Sequence, residues 1–139
     1  MLILGIINLP AMKHYLVAAI TLLSLSACGD RDDIEIGGKG GKATLNITMG
    51  HDGNYAKDGT IYIKYNADDM PSEMRYDDSA KCKDMGDGKP VAVFTGLKKG
   101  KYYLFGSGYD PVHADNIKGG VKYTITEETS LFYNLKTAH

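Results

Sequence analysis

Few side chains in this sequence have the chemistry to act on a substrate or hold an ion, and their spacing is the first clue. Three histidines lie beyond residue 28, namely His51, His113 and His139. His113 stands two residues before Asp115, and an imidazole beside a carboxylate titrates near neutrality and can move a proton. The stretch Asp110 to Asn116 that carries the pair is turn-like, so it reads as a solvated loop. Neither a Gly-x-Ser-x-Gly elbow nor a His-Glu-x-x-His helix occurs. The sequence therefore reads as a non-enzyme, with no catalytic set, no metal ligands and no cofactor expected.

Carboxylates gather at Asp68-Asp69, Asp77-Asp78, Asp84 and Asp87. Calcium takes six to eight oxygens from such loops. The Asp-x-Asp-x-Asp-Gly spacing is missing, and Lys81, Lys83 and Lys89 stand ready to neutralise the acids, so a solvated polar loop is expected. With no tryptophan, a sugar-stacking platform would have to use Tyr55, Tyr76 or Tyr109, all placed in loops by their surroundings, with Tyr109 capping the sandwich edge. Of the two cysteines, Cys82 lies among these acids and lysines and reads as an inert thiol.

The chain has 139 residues, 24% charged and 43% hydrophobic, with a formal net charge of -1. That length fits one domain with accessories. A near-neutral balance with lysines scattered singly or in pairs offers no field or basic run for nucleic acid. Seventeen glycines and ten tyrosines favour short strands and tight turns over helices.

Met12-Lys13-His14 forms a short positive start, and an apolar stretch from Tyr15 to Leu25 follows. The run is shorter than the roughly 20 residues of a spanning helix, and it ends in small residues suited to a peptidase. Residues 1–27 are thus expected to be a signal peptide, with a helical apolar segment and with Met12 as the true initiator. Leu25-Ser26-Ala27-Cys28 resembles the bacterial lipobox, which implies lipid attachment at Cys28 and a membrane partner through that lipid. The acidic run Asp30-Arg31-Asp32-Asp33 resembles the surface-export signal of Bacteroidetes-type lipoproteins, which implies an outer-membrane protein, periplasmic or surface-exposed. Residues 28–42, ending in a glycine run, read as a flexible lipidated tether. Gly37 to Lys42 fails the spacing of a phosphate loop, since Ala43 follows the lysine.

Residues 43–139 carry the folded domain. Ala43 to Met49 and Thr60 to Asn66 alternate apolar with polar, as half-buried strands do. Asp68 to Gly88 is expected to be a long connection with at most one poor strand. Pro90 to Phe94 is a continuous apolar run, the pattern of a strand covered on both faces. Lys101 to Ser107 pairs back across a glycine-bounded turn, and two further alternating stretches reach Leu135. Six or seven short strands predict an all-β, antiparallel two-sheet sandwich. Phe94-Thr95-Gly96-Leu97-Lys98-Lys99-Gly100-Lys101-Tyr102-Tyr103-Leu104, running on to Gly108-Tyr109-Asp110, resembles the hairpin of transthyretin-like (prealbumin-like) and carboxypeptidase regulatory-like domains. That resemblance implies a transthyretin-like sandwich with Leu97 plugging one end; an immunoglobulin-like topology is the alternative. It also implies a docking or stability module, because the histidine motifs and C-terminal tail of the hydroxyisourate hydrolases that share the fold are missing. The expected function is a lipid-anchored binding or assembly module with a protein or glycan partner at the cell surface; a fimbria-like accessory or a glycan-binding lipoprotein are the alternatives.

Overall fold

A computed structural model describes residues 35–139, so the expectations placed on residues 1–34, including the signal peptide and Cys28, lie outside the described residues. The described chain is built of nine strands: β1 (Lys39–His51), β2 (Asn54–Tyr55), β3 (Lys57–Tyr65), β4 (Asp78–Lys81), β5 (Lys83–Asp84), β6 (Pro90–Leu97), β7 (Gly100–Asp110), β8 (Asp115–Ile125) and β9 (Ser130–Lys136). Two of them, β2 and β5, are only two residues long. In one sheet β1 pairs with β2, β6 and β9, and β6 with β5; in the other the order is β4-β3-β7-β8. The pairing is antiparallel except for β9, which lies parallel to β1 with Leu45 opposite Leu131 and Met49 opposite Leu135.

The period-two pattern decides which side chains the two sheets enclose. Leu45, Ile47 and Met49 of β1 face Ile61 and Ile63 of β3 and Leu104 of β7, all sealed from water. Residues between them stay at least partly exposed. Burying each such side chain contributes about 1.5–3 kcal/mol. β6 departs from its expected burial on both faces. Ala92 and Phe94 are inside, but Val93 is 48% exposed, because a two-layer sandwich covers only one face of each sheet.

Two further expectations change. The glycine run is built into the fold: β1 begins at Lys39, and Gly37 and Gly38 are buried. A Cβ at Gly41 would run into the Leu97 carbonyl, so this glycine permits backbone contact where a tether was expected. The acidic connection holds two short strands, β4 and β5, which lie in different sheets. Asp78, Ala80 and Cys82 alternate inward there, a period hidden in the sequence by the charged residues between them.

The glycine-bounded turn forms, but the expected hairpin does not. β6 pairs with β1 and β5 while β7 pairs with β3 and β8, so the turn carries the chain from one sheet to the other. Gly96 and Gly100 adopt φ of 69° and 139°, conformations open to residues without a Cβ, and Leu97 is fully buried. The Tyr102 hydroxyl donates to the Lys98 carbonyl at 2.6 Å and accepts from the Gly38 N–H at 2.8 Å.

Candidate functional site

At the other end of the sandwich, three separated stretches of chain meet. β1 ends at His51, and Asp52-Gly53 turn the chain into β2 with φ of 46° and 82°, the pattern of a two-residue type I′ hairpin. β7 ends at Asp110 and β8 starts at Asp115, its register partner. Between them the Asp110 carboxylate shapes the loop: Oδ1 accepts from Val112 N–H at 2.8 Å, and Oδ2 meets His113 Nδ1 at 2.6 Å. After β9, Thr137 donates through its backbone N–H and its hydroxyl to the Gly50 carbonyl. Ala138 exchanges two backbone hydrogen bonds with Lys118 of β8, so the segment ending in His139 is pinned to both sheets.

The result is a triangle of imidazoles. His51 and His139 have ring centroids 4.4 Å apart, with His113 5.4 Å from the first and 5.5 Å from the second, all edge-to-face. His51, Asp110, His113 and His139 each place one ligand atom within 4.8 Å of the others. Every ring also has an oxygen at Nδ1: the Thr137 carbonyl at 2.9 Å for His51, Asp110 Oδ2 for His113, and Asp115 Oδ2 at 3.2 Å for His139.

Asp110 is only 1% exposed, and its charge is matched by the donors around it. The hydrogen bond from His113 holds its carboxyl below the usual carboxylate range, and the same bond raises the His113 imidazole above its ordinary value. A cleft of about 500 Å³ opens beside the triangle, lined by His51, Asp52, Tyr55, Asn134, Lys136 and Thr137 among others.

The sequence-predicted residues divide sharply. His113 does not pair with Asp115: it takes Asp110, while Asp115 takes His139. The expected solvated loop has a buried carboxylate at its base. The acids disperse, and their lysine partners are not the expected ones: Asp77 pairs with Lys64, Asp78 with Lys39 and Asp68 with Lys101. Asp84 and Asp87 cap turns through Gly86, Gly88 and Lys89 N–H groups. Tyr55 and Tyr109 lie on strands, 37% and 41% exposed, and Tyr76 stacks on Phe105 at 6.0 Å. Cys82 packs against the core, and burial pushes its thiol up to about 11. The ligand cluster escaped sequence reading because its members stand 26 to 88 positions apart, apart from the Asp110–His113 spacing. The chain matches no family model, no curated protein and no solved structure.

Proposed function

We propose that this chain is a lipid-anchored, non-enzymatic β-sandwich of the bacterial outer membrane, joined to the membrane through Cys28, that binds its partner at the histidine end. The carrying observation is the polarity of the sandwich. Glu35, where the described chain begins, lies beside Gly100 and Lys99 at the start of β7, whereas Asp110 and the histidines stand at the end of that strand. Eleven residues of β7 span roughly 35 Å at about 3.3 Å per residue. An anchor upstream of Glu35 therefore joins the pole remote from the cleft and the imidazoles.

Metabolic labelling with palmitate tests the anchor. The full chain is expected to take up label and the Cys28→Ala variant to lose it; label retained in the variant overturns the reading.

A further inference from the structure

We propose that the histidine pole is a transition-metal site, in which His51, His113 and His139 hold one divalent first-row ion of the zinc class through Nε2, with a coordination position open to solvent. The proposal rests on the reading that ligands bind at this pole and names their chemistry.

Three observations carry it. The first is convergence: ligand atoms of the three rings and Asp110 already lie within 4.8 Å of one another. Two ligands on one tetrahedral zinc at about 2.0–2.1 Å are roughly 3.3 Å apart, so small side-chain rotations close the site.

The second is the oxygen at each Nδ1. A metal-bound imidazole nearly always donates its other N–H to a carboxylate or backbone carbonyl, which fixes the tautomer and the ring direction. Here the Thr137 carbonyl, Asp110 and Asp115 stand at those places, leaving Nε2 with the lone pair. Packing of rings accounts for the edge-to-face angles. It does not account for a separate oxygen acceptor on all three.

The third is donor type. Three imidazoles suit zinc, copper or nickel, whereas calcium and magnesium take oxygen. His113 and His139 side chains are 42% and 37% exposed, so one side of the triangle faces solvent and admits an exogenous ligand. The Asp52 carboxylate, 3.3 Å from His51 Nε2 and itself 69% exposed, turns aside or supplies an oxygen when the ion enters.

The test is calorimetric titration of zinc chloride into the full chain, purified in detergent and stripped with EDTA, with cobalt(II) visible absorption as a second readout. Wild type is expected to bind one zinc per chain, unaffected by equimolar calcium. His113→Gln and His139→Gln, both on exposed rings, are expected to weaken binding at least tenfold while the far-ultraviolet circular dichroism of the fold stays. Asp110→Asn acts through His113 as a positioning change, and is expected to weaken zinc about 10–100-fold and to shift the cobalt spectrum. Glu73→Gln, whose exposed carboxylate pairs with Arg75 away from the cluster, should change nothing. Absence of saturable zinc binding by wild type, competition by calcium, or unchanged affinity in both histidine variants overturns the proposal. A wild type that takes up palmitate but no zinc overturns the metal and leaves the anchored module standing; one that binds zinc without lipid does the reverse.

Discussion

The two poles of the sandwich are closed by different chemistry. At the entry pole Leu97 is sealed from water and Tyr102 ties the β6–β7 turn to Gly38. At the histidine pole, beyond the buried Met49, Ile117 and Leu135, hydrogen bonds and ion pairs from Thr137, Asp110 and Asp115 join the chain ends. Burial of apolar area stabilises by kilocalories per side chain, whereas a hydrogen bond contributes a net 0.5–1.5 kcal/mol or so. The apolar core runs to both ends, but at the entry pole it closes the end itself, whereas at the other pole polar contacts hold donor atoms in place where water and ligands reach them.

If that division is right, damage at the two poles should separate. The largest effect belongs to Leu97→Ala, which is expected to cost about 2–5 kcal/mol of stability in urea unfolding while zinc affinity of the folded protein changes less than twofold. Sites this far apart act independently, and a parallel loss of zinc would break the comparison.

A smaller effect, defined by its pH profile, belongs to the Asp110–His113 pair. Asp110 is lowered, so its contribution is present above the ordinary carboxylate value near 3.9 and is lost as pH falls through the folded one. His113 is raised, so its contribution is complete below the ordinary imidazole value near 6.5 and is lost as pH rises through the folded one. With EDTA present, the stability gap between wild type and Asp110→Asn should be widest between about pH 4 and 6.5 and narrow on both sides. A gap flat across pH contradicts the pairing.

The smallest effect is on Cys82, which belongs to neither pole. With its thiol held up at about 11, iodoacetamide at pH 8 should modify it slowly in the folded chain and quickly in urea. Fast labelling without urea would show that the β4–β5 crossing opens.

The turn at the entry pole was legible in the sequence because its parts are neighbours. Gly96, Leu97, Gly100 and Tyr102 fall within seven residues, and the alternation of β1, β3 and β7 reports which side faces inward. The pairing expected across the turn was not legible, since adjacency in sequence does not say whether two strands share a sheet or face each other across the core. Val93 misled because an unbroken apolar run carries no period, so only the second sheet's position settles which face is open. Gly37 and Gly41 misled because glycine serves a tether and a close backbone contact equally well. The histidine pole was illegible for a topological reason. His51, His113 and His139 meet only after β1, β7, β8 and β9 have found their register, and His113 prefers the carboxylate three residues behind it to the one two residues ahead because the loop folds back over Asp110.

The central claim, that this fold gathers a metal's ligands at the pole remote from chain entry, is tested most directly by anomalous diffraction at the zinc edge from crystals grown with zinc. The account predicts one strong peak about 2.0–2.1 Å from Nε2 of His51, His113 and His139. A strong peak elsewhere on the molecule, with the three imidazoles packed on one another and no ion between them, would contradict it.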